Sequence, residues 1–213
     1  MHALIVVAHH DPRSLSHSLA KQVAEGLGPS HTFEIADLFA EAFDPCFNAA
    51  DHAVHRRQVP PPADVLAEQA RIDRADALVL VYPVYWWSFP ALLKGWIDRV
   101  FANGWAFDFN LEANRMEKQL GRLRVHLLGV AGADAGTYER HGYAAAMKTQ
   151  IDHGIFDYCG ARVLSSSLLP DAESQDPEPH LRTARALGRD LFTCPGAIEA
   201  AQPASDRQAA PVA

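Results

Sequence analysis

Residues 81–101 read VYPVYWWSFPALLKGWIDRVF, an apolar strand end that passes through a knot of aromatic rings into an amphipathic helix. Turns usually take small polar residues, which relax or satisfy the backbone where it bends. Here Tyr82, Tyr85, Trp86, Trp87 and Phe89 crowd the hand-over instead. Rings of this size are expected in the interior, unless something flat is meant to lie against some of them. The strand part, ALVLVYP (77–83), is a continuous apolar run, as in a strand covered on both faces. The helical part, Ala91 to Phe101, sets Leu92, Leu93, Trp96, Ile97, Val100 and Phe101 along two adjacent stripes. Trp96 and Phe101, at helical spacing, read as packing residues.

The same alternation recurs in both directions along the chain. Ala3 to Ala8 is a second continuous apolar strand, and Leu15, Leu19, Val23 and Leu27 then mark one face of a helix. Thr32 to Ala36 is a short strand candidate. FDPCFNAADHAVHRRQVPPPAD (43–64) reads as an irregular connection, with Asp64 capping a helix that runs to Arg74. Further on, RVHLLGVAG (124–132) and ARVLSSSLL (161–169) are strands. Between them Tyr143, Met147, Ile151 and Ile155 keep a four-residue beat that Gly160 stops. A last helix spans His180 to Phe192, with Leu181, Ala184, Leu187 and Leu191 inward. The reading is one domain over 1–194 and a tail over 195–213 that lacks periodicity and is expected to be disordered.

Five strands separated by helices imply an α/β fold, a doubly wound five-stranded parallel sheet of flavodoxin-like order 2-1-3-4-5. In such sheets ligands sit beyond the carboxyl ends of the strands where the order reverses, here between the first and third. That places AHHDPRSLSHS (8–18) and YPVYWWSFP (82–90) at one crevice.

Bulk properties exclude other classes. At 213 residues the chain can bury a sizeable core. A net charge of −7 leaves no basic stripe, so nucleic acid is not an expected partner. No run approaches the ~20 apolar residues of a membrane span. The N-terminus has no basic flank or cleavage site, and reads as a strand and not a signal peptide. Cys46, Cys159 and Cys194 are widely spaced, which argues for a reducing compartment, the cytoplasm, and against a thiolate metal site.

Each loop at the crevice offers chemistry. Ser14, Ser16 and Arg13 stand at a helix start, whose free N–H groups suit a phosphate; either serine could equally be a plain cap. His9 and His10 directly follow the first strand. Neither a G-x-G-x-x-G nor a Walker motif is present. Trp86 and Trp87, adjacent and flanked by Pro83 and Pro90, are hard to bury and would suit an isoalloxazine ring. GVAGADAGTYERHGY (129–143) brings Gly129, Gly132 and Gly136, which permit close approach, and Tyr138 and His141 as proton carriers. Asp51, His52 and His55 invite a metal reading, but a solvated loop is the simpler one.

LIVVAHHDPRSLSHSLA (4–20) resembles the A-H-x-x-P-x-S-F-N opening of the flavodoxin-like NAD(P)H:quinone reductases. YPVYWWSFPALLKGWIDRVFANGWAF (82–107) resembles their signature P-x-x-W-x-x-x-P-A-x-L-K-G-W-x-D-R-V-F, and IDHGIFDYCG (151–160) a later helix end. The similarity spans about residues 3 to 170. It implies a bound flavin, FMN or FAD, a homodimer with its sites at the subunit boundary, NADH or NADPH as reductant and a quinone-like acceptor. Transferred by position, His9, Ser14, Leu15 and Ser16 would hold the phosphate and ribityl end. Pro83, Val84, Tyr85, Trp86 and Trp87 would line the ring system. Ala131, Gly132, Ala133 and Asp134 would edge its pyrimidine side, with the catalytic pair Tyr138 and His141 nearby. The chain departs from the pattern at Ser14-Leu15-Ser16, where the family has S-F-N, and at Gly104, where FAD-binding members carry an acid. A second class stays open: ancillary subunits of potassium-efflux transporters share the same resemblance.

Overall fold

The computed structural model describes residues 1–110, 115–172 and 176–193. In chain order the elements are β1 (His2–Val7), α1 (Leu15–Gly26), β2 (Thr32–Asp37), α2 (Ala49–His55), α3 (Ala63–Arg74), β3 (Ala77–Pro83), α4 (Ala91–Val100), β4 (Phe107–Asn110), β5 (Arg115–Lys118), β6 (Arg124–Val130), α5 (Ala135–Arg140), α6 (Tyr143–Met147), a π-helical segment (Lys148–Asp157), β7 (Arg162–Leu169) and α7 (Glu178–Asp190). The expected tail over 195–213, and Cys194, lie outside the described residues.

Five strands form a parallel sheet in the order β2-β1-β3-β6-β7, which is the 2-1-3-4-5 order expected from the sequence. Side chains alternate across a strand, so each central strand feeds two cores. Leu78, Leu80 and Tyr82 of β3 join Leu4 and Val6 of β1 under α3, α4 and the π-helical segment. Ala77, Val79 and Val81 point the other way with Ala3, Ile5 and Val7, and are covered by α1 and α7. All seven residues of β3 are buried, as its unbroken apolar run requires.

Helices α1 and α7 cross at glycines. A Cβ at Gly26 would strike the Arg185 carbonyl, and one at Gly188 would strike that of Val23, so each helix admits the other's backbone only because neither residue carries a side chain there. Trp96 and Phe101 of the α4 region are core residues, edge-on to each other at 5.8 Å.

Four expectations need correction. The 43–64 connection is not wholly irregular. It contains α2, closed by a reciprocal cap in which Asn48 Oδ1 accepts from the Ala50 and Asp51 N–H groups and Asp51 returns a bond to the Asn48 N–H. Asp64 does not cap α3: it lies in the first turn behind Pro62 and accepts from Arg99 Nη1 at 2.7 Å. Asp51 is not solvated but buried on Arg99, and no group of three metal-binding side chains is found among the described residues. The helix after α6 has wide turns, so burial steps from Met147 to Ile151 by four but from Ile151 to Phe156 by five, leaving Ile155 only partly covered. The antiparallel pair β4–β5, outside the main sheet, has too little apolar patterning to read from sequence.

Among the described residues no helix is long and apolar enough to cross a membrane. One buried group makes the fold sensitive to acid. His126 of β6 bonds Ser165 Oγ through Nδ1 at 2.8 Å, while its Nε2 has no partner. Burial, followed by the nearby Arg124, lowers its pKa from 6.5 to about 4. The unfolded chain therefore takes up a proton that the folded chain refuses, and stability is lost as pH falls from 6.5 towards 4. Urea midpoints compared between about pH 7 and pH 4.5 should show a loss of up to ~3 kcal/mol that His126→Asn largely removes. An equally steep loss in the variant would assign the acid sensitivity to other groups.

Candidate functional site

β1 and β3 end side by side, with the Ala8 N–H donating to the Val81 carbonyl at 3.2 Å. Beyond them the chain opens into two loops that face one cleft. A cavity of about 350 Å³ is lined by His9, Ser14, Leu15 and Ser16 on one side and by Pro83, Val84 and Tyr85 on the other. A second, of about 200 Å³, continues past Val84 and Gly132 to Trp86, Trp87, Ala133 and Tyr138. Together they lie in the ~300–1,000 Å³ range of ligand clefts. Two other cavities lie elsewhere, one by the proline-rich 58–61 segment and Gly104, the other between the π-helical segment and β7.

The outer end of the cleft is built by the start of α1. Ser14 is its cap, in extended backbone, with Oγ accepting the His17 N–H at 3.3 Å. Capping consumes that N–H, but helix geometry leaves those of Leu15 and Ser16 without intrahelical acceptors. The partial positive charge of the helix start is directed into the cavity. Ser14 Oγ also lies 2.9 Å from His17 Nδ1, and His17 Nε2 lies 2.8 Å from Asp37 Oδ2. His9 accepts the Asp11 N–H at Nδ1, so its neutral ring carries the proton on Nε2. Burial, then the neighbouring His10 and His17, hold its pKa below the ordinary imidazole value.

The aromatic end is a two-residue turn. Tyr85 and Ser88 exchange backbone hydrogen bonds at 3.2 and 3.1 Å, and Trp86 and Trp87 between them have φ of +48° and +60°. Such a turn normally carries Asn-Gly, because both central residues are left-handed. Placing two tryptophans there costs roughly 1–2 kcal/mol at each, and strain of this kind collects at binding sites. Trp86 is left 92 % exposed. Trp87 is drawn inward, stacked on Tyr143 at 3.7 Å and edge-on to Tyr138 at 5.2 Å. Tyr143 in turn stacks on His141 at 5.2 Å.

The glycine-rich loop after β6 closes the cleft. Gly132 lines both cavities and Ala133 the inner one. Ala131 is buried, its N–H donating to the Leu169 carbonyl at 2.8 Å. Asp134 caps α5, accepting the Thr137 N–H at 2.9 Å and its hydroxyl at 2.8 Å. Tyr138 is buried, and burial lifts its phenol pKa above the ordinary value. His141 ends α5 on the surface. Thus Ala131, Asp134 and His141 frame the loop, while the other twelve expected residues line the two cavities.

Several participants escaped the sequence reading. Tyr143, whose spacing marks it only as a helix-face residue, backs Trp87. Val130 and Ala172 line the outer cavity, Ala172 from the turn after β7. The His17–Asp37 pair spans twenty residues and joins two elements, so no local spacing marks it.

The chain is similar to known proteins over most of its length. A family profile described as flavodoxin-like fold matches residues 1–189. The ribosyldihydronicotinamide dehydrogenase (quinone) of Mus musculus is 28 % identical over 188 residues, 78 % of this chain and 79 % of that protein. NAD(P)H dehydrogenase (quinone) 1 of Rattus norvegicus is 28 % identical over 213 residues, 90 % of this chain and 76 % of that protein. Among solved structures, an NAD(P)H:quinone oxidoreductase from Methanothermobacter marburgensis superposes with a TM-score of 0.82 at 31 % identity, covering 90 % of this chain and 98 % of that one.

Proposed function

The chain belongs to the flavodoxin-like fold family, and from that premise we propose that it is a flavin-dependent NAD(P)H oxidoreductase acting on quinone-like acceptors. The observation that carries the reading is a strained aromatic turn facing a helix N-terminus across one cleft. A flavin presents the complementary pair, a flat ring system and a phosphate at the end of a flexible chain. The residues present fit it: the space between Val84 and Gly132 joins a cavity walled by rings to one floored by free N–H groups.

When bound, the flavin supplies two-electron chemistry, taking a hydride from NADH or NADPH and passing it to the acceptor. The chain's part is to bind, orient and exclude water. In this proposal Leu15 and Ser16 hold the phosphate with their N–H groups, and Ser14 and His9 complete that end. Pro83, Val84, Tyr85, Trp86 and Trp87 form the wall for the ring, and Ala131, Gly132, Ala133 and Asp134 its opposite edge. Tyr138, kept protonated by burial, holds a proton at Oη for developing negative charge, with His141 as the second carrier at the rim. FMN and FAD share both features that this cleft addresses. Trp86 and the half-exposed Tyr85 form the surface that a second copy of the chain would cover in a homodimer.

Purified protein should be yellow, bleach on anaerobic addition of NADH or NADPH, and recover its colour with menadione; chromatography of the released flavin then separates FMN from FAD. A colourless protein that no flavin can load would end the reading. Flavin that stays oxidised under both reductants would instead favour a regulatory subunit.

A further inference from the structure

Resting on the reading that this cleft holds a phosphorylated flavin, we propose that His17 controls the Ser14 hydroxyl, so that seating the phosphate draws one proton from solvent onto the His17 imidazole. The argument is one of counting hydrogens. As a carboxylate Asp37 can only accept: Oδ1 takes the Phe39 and Ala40 N–H groups at 3.2 and 3.1 Å, and Oδ2 faces His17 Nε2 at 2.8 Å. A neutral His17 must therefore carry its hydrogen on Nε2. Its bare Nδ1, 2.9 Å from Ser14 Oγ, then accepts a hydrogen bond from the serine O–H. With the cap bond from the His17 N–H also in place, Ser14 offers the cleft only a lone pair. Facing an anion, that is repulsive.

A second proton on the imidazole reverses the arrangement. Nδ1–H now donates to Ser14 Oγ, which accepts twice and is free to donate its own hydrogen to a phosphate oxygen. The imidazolium also brings a full positive charge within reach of the anion, while Asp37 balances it on the far side. The charged and titratable groups around His17 are Asp37 at the end of β2, His9 and His10 on the loop after β1, the Asp11–Arg13 pair of that loop, and Lys21 one turn further along α1. His9, whose ring centre is 6.4 Å away, is held below the ordinary imidazole value and so adds little opposing charge. His17 is thus a positioning residue that acts through Ser14 and selects phosphorylated flavins over riboflavin.

The test uses the full-length chain freed of flavin and titrated with FMN, FAD and riboflavin. Calorimetry in two buffers of different ionisation enthalpy counts protons. It is run between about pH 7 and pH 9, above the second phosphate pKa of ~6. About one proton should be taken up with FMN or FAD and none with riboflavin. The FMN Kd should rise with pH across that range, as binding that takes up a proton requires. His17→Gln should abolish the uptake and flatten the profile. Because that variant could fold poorly, nitrogen NMR of the imidazoles in the unaltered protein gives a second readout: His17 Nδ1 should pass from bare to protonated when FMN is added. Flavin binding without proton uptake, or uptake that survives in His17→Gln, overturns the proposal and leaves the flavin reading standing. Failure of all three flavins to bind at any pH overturns that reading, and the proposal with it.

Discussion

Arg99→Ala should lower the unfolding free energy by about 3–5 kcal/mol, a large part of the ~5–15 kcal/mol available to a domain of this kind. The guanidinium is 4 % exposed and spends its donors on three separate pieces of chain. Nε bonds Asp51 Oδ2 at 3.0 Å, and Nη1 reaches Asp64 Oδ2 at 2.7 Å and the Asp44 carbonyl at 2.8 Å. Its plane also lies 5.3 Å from the Phe43 ring centre. Asp51, 1 % exposed, has Oδ1 without any partner, so Arg99 is the charge that makes its burial tolerable. Without it, a carboxylate is stranded in the interior and the whole 43–64 crossover loses its tie to α4. Lysine is a poor substitute, because one ammonium cannot reproduce the planar fork. Urea unfolding of Arg99→Ala and of the double variant Arg99→Met/Asp51→Asn decides the matter. The double variant should recover much of the loss; equal destabilisation of both would show that shape and not stranded charge is at stake.

The paired tryptophans predict opposite effects on stability and binding. Trp86 has almost nothing to lose by way of packing, so Trp86→Gly should relieve the left-handed backbone and raise the stability of the flavin-free chain by about 1 kcal/mol. Trp87→Ala removes the ring stacked on Tyr143 and set against Tyr138. Stacking on an aromatic face contributes ~1–3 kcal/mol for a planar heterocycle, so flavin affinity should fall about ten- to a hundredfold. Thermal unfolding of the flavin-free variants and fluorescence titration with FMN measure the two separately. A destabilised Trp86→Gly would mean the turn is not strained. An unchanged FMN Kd in Trp87→Ala would remove that ring from the site.

These results divide the 81–101 stretch into two jobs. Its first half, through Trp87, lines the candidate cleft. Its second half, KGWIDR, holds the crossover between β2 and β3: Gly95 abuts Pro45, Trp96 donates to Glu68 at 2.8 Å, and Arg99 gathers Asp51 and Asp64. Sequence alone revealed the sheet because a strand buried on both faces leaves an unbroken apolar run, as β1 from Ala3 and β3 do, while β6 is apolar but for Arg124 and the buried His126. It revealed the cleft because the strand order fixes where loops must meet. The turn at Trp86 and Trp87 was illegible as a turn, since its residues contradict local preference and tertiary structure overrides them. α2 was hidden in a polar, proline-rich passage, although Asn48 followed three residues later by Asp51 was an available cap signal. The Ser14–His17–Asp37 chain and the Trp87–Tyr143 stack arise only on folding, from elements distant in sequence.

The glycine crossing of α1 and α7 bears on how the molecule is made. Leu19, Ala20 and Val23 of the first helix belong to the same core as Ala184 and Leu191 at the end of the described chain. During synthesis, therefore, the first helix emerges from the ribosome long before its cover does. Its oily stripe stays open to water, and to chaperones, until α7 has been translated and swung back across it. The core on that face of the sheet is completed only after α7, at the far end of the described residues, has left the exit tunnel.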